Sequence, residues 1–297
     1  MLLRQEIFMK LALKKSPIPQ MNAFVAKHLH QPIFDPDWHF HPEYQLFLVL
    51  KGNGTRFVGD NVSAFKPGDI TFTGPNLPHL WRSDIEASDV AHSDNCEGIV
   101  VYLNENLMGK SLLQTEEAIR IKQLFEKSLR GLEVVGEMKE TLGKMIVKLL
   151  RSNGFDGVLA LLGILDTLSK TSNVETLASA GYTNTLKKGD TERMNTIYAY
   201  VMKNFKRKMA VSELAELTNM TPTSFSRYFK IHGNKTFSEF VSEIRVGHAC
   251  KLLIEKKINV SEACYASGFQ TLSNFNKQFK VVTKRTPMDY KEQYRTV

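Results

Sequence analysis

Val260-Ser261-Glu262-Ala263-Cys264-Tyr265-Ala266-Ser267-Gly268-Phe269-Gln270-Thr271-Leu272-Ser273-Asn274-Phe275-Asn276-Lys277-Gln278-Phe279-Lys280 decides the architecture of the last third of this 297-residue chain, because most of its landmarks occur twice. Val211-Ser212-Glu213 precedes Val260-Ser261-Glu262 by 49 residues, and Phe225, Phe229-Lys230 and Thr236 precede Phe275, Phe279-Lys280 and Thr286 by 50. The extra residue of the second copy falls in a turn, where Asn219-Met220-Thr221-Pro222 becomes Ser267-Gly268-Phe269-Gln270-Thr271. Each copy reads as a short helix, a tight turn and a second helix, entered at Thr221 before Pro222 or at Thr271 before Leu272. A threonine hydroxyl accepts from a free amide at a helix start, and proline suits the first helical position because its missing N–H is not needed there. The pattern is a helix-turn-helix, made twice.

The second helix of each copy separates into two faces. Phe225 and Phe229 form the inner pair of the first copy, while Thr223, Ser226, Arg227 and Lys230 share the other side. In the second copy Leu272, Phe275 and Phe279 are the expected inner stripe, leaving Ser273, Asn274, Asn276, Lys277 and Lys280 outside. Arginine can grip guanine bidentately and asparagine can grip adenine, so these nine outward residues are the candidates for DNA contact. One such helix would be an ordinary solvated face. Two with matching faces lie in the only basic part of the chain: residues 190–297 hold 18 basic and 10 acidic side chains, residues 1–189 hold 21 of each, and the net charge is +8. That asymmetry points to a polyanion, double-stranded DNA, as the partner of the last third alone. A helix from Phe237 to about Lys256 is expected between the copies, spanning roughly 28 Å at ~1.5 Å per residue. It would place the two recognition helices about one duplex turn, ~34 Å, apart in two adjacent major grooves.

This arrangement strongly resembles the DNA-binding domain of the AraC family of bacterial transcription regulators, over about residues 192–295. The most specific part is the stretch quoted above with Thr286-Pro287 and Tyr290, which follows the family's helix, Gly-Phe turn, Phe-Lys pair and closing Thr-Pro-x-x-Tyr. The resemblance implies base readout by Thr223, Ser226 and Arg227, then by Ser273, Asn274, Asn276 and Lys277. It also implies activation of transcription, RNA polymerase as a partner and a homodimer. Two positions depart from the pattern, since Asn234 and Lys284 stand where the family usually has glycine after each recognition helix. Asparagine takes a left-handed cap readily; lysine there costs about 1 kcal/mol or signals another loop shape.

The remaining two thirds are organised differently. With 42% hydrophobic and 24% charged residues the chain is neither disordered nor collagenous, and its length suits more than one domain. The apolar stretches Tyr44 to Leu50 and Val158 to Leu165 are too short to span a membrane, and the start of the chain, with Arg4, Glu6, Lys10, Lys14 and Lys15, does not read as an export signal. Cys96, Cys250 and Cys264 form no CxxC pair and read as reduced, buried thiols, so a cytoplasmic location is expected. From about 22 to 103, short β-branched and apolar runs (44–50, 55–58, 69–73, 98–103) alternate with Gly, Asn, Asp and Pro, the signature of an all-β barrel or sandwich. Helices are expected over about 112–170, with Leu113, Ile121, Leu124, Phe125 and Leu129 on one face, Leu142, Met145, Ile146, Leu149 and Leu150 on another, and a third from about Phe155 to Ser169. These helices offer a face for a second chain. Residues 171–189 read as a flexible linker.

The fold class is therefore multidomain: an all-β barrel with accessory helices over 1–170, then an all-α domain over 190–297. In the β region His39, His41, Glu43 and Gln45 alternate, so an extended strand would put all four on one face, and His79 follows Pro75-Asn76-Leu77-Pro78. The order resembles the cupin barrel, whose metal-binding members hold iron, manganese or zinc with three His and a Glu; here Gln45 stands at the Glu position. An amide is a poorer ligand than a carboxylate, so neither a metal nor another cofactor is expected. The leading expectation is a sensor pocket in which His39, His41, Glu43, His79 and Trp81 meet a small polar effector, with Trp81 offering a face on which a sugar could stack. Two alternatives stay open: ordinary hydrogen-bonded histidines at a barrel mouth, and a bound metal. No nucleophile, phosphate-binding glycine loop or paired carboxylate favours catalysis. The rival functions are a metal-dependent cupin enzyme carrying a DNA-binding domain and a DNA-binding protein indifferent to effectors.

Overall fold

Antiparallel pairing dominates residues 24–103. The computed structural model describes residues 18–19, 22–34, 37–83, 96–184, 188–255 and 258–293; the charged segment from Arg4 to Lys15 lies outside them. The strands are β1 (Phe24–Gln31), β2 (Tyr44–Lys51), β3 (Gly54–Val58), β4 (Asn61–Phe65), β5 (Ile70–Thr73), β6 (His79–Ser83), β7 (Cys96–Leu103), β8 (Leu132–Val134) and β9 (Val174–Thr176). They form a six-stranded sheet, β1-β7-β2-β5-β8-β9, facing a three-stranded one, β4-β3-β6.

Strand β2 shows how the sequence builds this half. Tyr44, Leu46 and Leu48 pack outward with the accessory helices, while Phe47 and Val49 pack with Phe65 and Trp81 of the facing sheet. Both faces are covered, so the run is almost continuously apolar instead of alternating. Gln45 is the polar exception, and it points into the space between the sheets.

The accessory helices are α1 (Gly109–Leu113), α2 (Ile119–Ser128), α3 (Met138–Leu150) and α4 (Gly154–Lys170). Leu124, Phe125, Ile146, Leu149, Leu161 and Ile164 cover the large sheet. The single face expected through Leu113 and Leu129 is divided: a break separates α1 from α2, and Leu129, beyond the end of α2, is 52% exposed. Residues 171–189 are not a plain linker either. They contribute β9, which pairs with β8, although 185–187 lie outside the described residues. Backbone hydrogen bonds hold β9 and its side chains bury little, so no hydrophobic period marks it.

The helical half contains α5 (Lys188–Asn204), α6 (Val211–Leu217), α7 (Pro222–Gly233), α8 (Phe237–Glu255), α9 (Val260–Ala266), α10 (Leu272–Thr283) and α11 (Pro287–Gln293). Helix α8 serves two cores. Phe237, Phe240, Val241 and Ile244 join α5, α6 and α7, whereas Val246, Ala249, Leu252 and Leu253 join α9 and α10. The α9–α10 turn lies against the end of α5: Gly268 has φ +86°, and a Cβ there would stand 2.7 Å from the Lys206 Cα and from the Phe205 carbonyl oxygen. Cys96, Cys250 and Cys264 are buried free thiols. No helix among the described residues is long and apolar enough to cross a membrane.

Candidate functional site

The two recognition helices, α7 and α10, are built alike. Thr221 Oγ1 accepts from the Ser224 amide at 3.2 Å, and Thr271 Oγ1 accepts from the Asn274 amide at 3.3 Å. Each helix ends in a left-handed residue, Asn234 at φ 52° and Lys284 at φ 62°. Lysine thus takes the strained cap, without a change of loop shape. Residues 221–230 and 271–280 follow the same order of buried and exposed positions, with Phe225, Phe229, Phe275 and Phe279 inside. All nine candidate DNA contacts, Thr223, Ser226, Arg227, Lys230, Ser273, Asn274, Asn276, Lys277 and Lys280, are exposed. Leu272, expected on the inner stripe, is 38% exposed. It occupies the first helical position, as Pro222 does in α7, and the buried face begins only at Phe275.

Between the sheets lies a cavity of about 150 Å³, walled by Phe34, His39, Gln45, Phe47, Trp81 and Tyr102 among others. Of the five sequence candidates, His39 and Trp81 line it directly. His41 and His79 stand against His39, with ring centroids 6.1 and 4.6 Å from it. Glu43 is buried, its Oε2 3.5 Å from His41 Nδ1. The single extended strand expected for residues 39–45 is not formed: His39 pairs with His79 in an isolated bridge, residues 42–43 bend, and β2 starts at Tyr44. The bend still returns Gln45 to the histidines, its Oε1 3.1 Å from His41 Nε2. Trp81 is wedged edge-on between Phe47, at 4.9 Å, and His79, at 5.5 Å. Sequence reasoning missed Tyr102 as a wall residue, although its alternate position in the apolar run of β7 was a signal. Burial pushes the Tyr102 hydroxyl up to about 12, and the charge of Glu43 adds to the shift.

One ring nitrogen from each of His39, His41 and His79 lies within 4.8 Å of the others. Three buried imidazoles suit a first-row divalent ion such as zinc, and the Gln45 oxygen is a weaker fourth donor than a carboxylate. The fit therefore rests on the histidines. A second group, His28, His30 and Glu97, sits outside on β1 and β7, with His28 Nε2 donating to Glu97 Oε1 at 2.7 Å.

An AraC-like ligand binding domain matches residues 23–145, and a helix-turn-helix domain matches 214–293. The protein belongs to the AraC family. This AraC-family regulator is 24% identical over 264 residues to the uncharacterized HTH-type transcriptional regulator YdeC of Bacillus subtilis, covering 86% of this chain and 85% of YdeC. It is 19% identical over 274 residues to the HTH-type transcriptional activator RhaR of Mannheimia succiniciproducens, covering 91% of each. Unsaturated fatty acid-bound ToxT from Vibrio cholerae aligns over 92% of this chain and 96% of its own, with 17% identity and a TM-score of 0.36. The two family models thus make the protein a DNA-binding transcription regulator with a ligand-binding domain, and they point to regulation and not to catalysis.

The two halves of the regulator meet in a mixed core, where Trp38, Phe57 and Leu80 of the barrel pack with Ile197, Tyr198 and Phe240 of the helical half. Trp38 lies 5.0 Å from Tyr198, ring centre to ring centre. The Asn195 side chain clasps the Trp38 backbone, with Oδ1 accepting from Trp38 N at 2.6 Å and Nδ2 donating to Trp38 O at 3.2 Å. Beside this, Asn234 Nδ2 donates to Asp60 Oδ2 at 2.8 Å and Ser179 N donates to Asp60 Oδ1 at 2.9 Å. Burial raises the Asp60 pKa, but the hydrogen bonds from Ser179 and Asn234 together with Lys235 outweigh it and hold the carboxyl below its ordinary value.

Proposed function

We propose that this AraC-family protein is a sequence-specific transcription activator of the cytoplasm, working as a homodimer with RNA polymerase. Its α7 and α10 enter two adjacent major grooves of double-stranded DNA. The observation that carries this reading is the repeated pattern of burial and capping in α7 and α10, with polar and basic side chains outward in the only basic part of the chain. Thr223, Ser226, Arg227, Ser273, Asn274, Asn276 and Lys277 read bases, and Lys230 and Lys280 hold phosphates. The similarity to RhaR, an activator, supports activation.

The barrel cavity is the effector site, with His39 and Trp81 in its wall and His41, Glu43 and His79 behind. At about 150 Å³ it suits a small ligand, and its imidazoles and Gln45 favour a polar one. Support for the dimer comes from α4, where Phe155 is 72% and Leu159 54% exposed one turn apart, on a helix whose other face buries Leu161, Ile164, Leu165 and Leu168. Phe155→Asp with Leu159→Asp should leave a monomer in sedimentation.

The deciding experiment is selection of bound duplexes from a random DNA pool by the full-length protein. Two short boxes about one helical turn apart are expected. A folded protein that enriches no motif would refute the reading.

A further inference from the structure

Strand β1 carries metal-ligating side chains on the outer face of the large sheet, away from the barrel interior. Side chains alternate along a strand, so His28 and His30 share the face of Phe24 and Ala26, while Leu29 and Gln31 point the other way and wall the barrel cavity. The β1–β7 register sets Glu97 directly opposite His30 and Ile99 opposite His28. Directly opposed residues have Cβ atoms about 4.5–5.5 Å apart, close enough for an imidazole and a carboxylate to meet. Glu97 Oε1 accordingly lies 2.7 Å from His28 Nε2 and 3.8 Å from His30 Nε2. The two imidazoles stand edge to face with centroids 4.2 Å apart, and one ligand atom from each of the three side chains lies within 4.8 Å of the others.

Two donors on one tetrahedral zinc stand about 3.3 Å apart, given bonds near 2.0–2.1 Å. The distances of 2.7 and 3.8 Å from the Glu97 oxygen bracket that spacing. Two imidazoles and a carboxylate are donors that zinc and its first-row neighbours accept, and three protein ligands leave a position for water. As folded, Glu97 accepts from His28 Nε2. A neutral imidazole carries one proton on either nitrogen, and exchange with water moves it to Nδ1, which leaves the Nε2 lone pair for an ion. Lys51, in register with Glu97 on β2, is the cation that an ion must outcompete; it is exposed, and attraction between exposed ammonium and carboxylate groups is weak.

The strand that would carry the ion is held on one side. β1 is the edge of the six-stranded sheet, paired with β7 and, among the described residues, with no strand beyond it. Its first half is also covered: the Phe24 ring packs on α4, 3.1 Å from where a Cβ on Gly157 would stand. Its second half is open, with the His28 and His30 side chains 36% and 52% exposed, so an ion reaches them from water without any rearrangement of the fold. Segments with few buried contacts open locally at low free energy, and a bond across β1 and β7 opposes that opening.

We propose that His28, His30 and Glu97 form an external site for a divalent first-row ion of the zinc class, which clips the edge strand β1 to β7. The site is separate from the barrel cavity and from the DNA-binding surface. Because Leu29 and Gln31 alternate with the two histidines, the clip also steadies one wall of the cavity. The three side chains are already in mutual contact, so an ion gains its ligands at a small cost in side-chain order.

The test uses the full-length protein, stripped with chelator and titrated with zinc chloride in a calorimeter. The wild type should bind one zinc per chain more than the double variant His28→Ala with His30→Ala, at a Kd of about 10 μM or tighter. Taking the difference keeps any ion on the buried His39, His41 and His79 out of the count, and both substituted rings are on the surface, so the variant should keep its circular dichroism. Glu97→Gln should bind this zinc about 10-fold more weakly, because an amide replaces a carboxylate. Hydrogen exchange reads the clip: with zinc at about 100 times its Kd, amides of residues 28–31 and 96–99 should exchange at least about 10-fold more slowly in the wild type and not in the double variant. Equal zinc uptake with and without the two histidines, Glu97→Gln binding as tightly as the wild type, or exchange in β1 and β7 unchanged by zinc would each overturn the proposal. A protein that selects a DNA motif yet takes up no zinc through His28 and His30 refutes this inference alone. One that binds this zinc and selects no motif refutes the regulatory reading and leaves the site standing.

Discussion

Gly268→Ala tests how the second helix-turn-helix is anchored. At φ +86° an L-residue costs about 1–2 kcal/mol relative to glycine. The new methyl would also stand 2.7 Å from the Lys206 Cα, the Lys206 carbonyl and the Phe205 carbonyl. These are backbone atoms and cannot rotate away, so the α9–α10 turn must lift from α5, adding about 1–3 kcal/mol of overpacking strain. The expected loss is about 2–5 kcal/mol, concentrated in the core around Phe275 and Phe279. Gly247→Ala is the control: it lies inside α8 with nothing within 4 Å of the added Cβ, and should stabilise by about 0.5–1 kcal/mol. Urea unfolding followed by circular dichroism measures both variants, and footprinting on the selected DNA should show Gly268→Ala losing one box of the two. A Gly268→Ala protein within about 0.5 kcal/mol of wild type, or a Gly247→Ala protein equally damaged, would refute the reasoning.

Thr221→Ala and Thr271→Ala each remove a helix cap and should cost about 1 kcal/mol, read as a lowered unfolding midpoint; no change in either would mean the caps are idle. Arg227→Ala should relax preference at one base position by about 1–3 kcal/mol, and Lys280→Ala should weaken all sequences alike while reducing the salt slope by about one charge. Uniform loss from Arg227→Ala would place that residue off the base-reading surface. The folded-state pKa of Asp60 is depressed below 3.8, so its contribution to docking is complete above the ordinary value and is lost as pH falls through the depressed one. Energy transfer between dyes on the two halves should therefore fall on acidification below about pH 4, and Asp60→Asn should remove that dependence.

The helical half was legible because its signals are local and doubled. Caps at Thr221 and Thr271, inward Phe pairs and the Gly268 turn each follow from spacing along one helix or turn. Leu272 misled because helical periodicity does not reveal that a first-turn position lies beyond the packed face. In the barrel, β2 and β7 announced themselves through apolar runs, whereas β9 is held by backbone bonds that leave no mark in the side-chain pattern. The histidine cluster was foreseen through a strand that does not form. The residues meet anyway, because the His39–His79 bridge and the bend at 42–43 fold the segment back onto Gln45.

The sequence by itself determined that the chain carries two helix-turn-helix units, which faces of α7 and α10 stay in water, and that a β-rich half precedes them. These depend on neighbours within one element, and side-chain spacing records them. Only the tertiary structure decided that α8 divides its apolar residues between two cores, that three imidazoles converge, and that Asn195 holds Trp38. Asn195 and Trp38 are 157 residues apart. A contact between a side-chain amide and a distant backbone imposes no period on the sequence, so only the folded chain shows it.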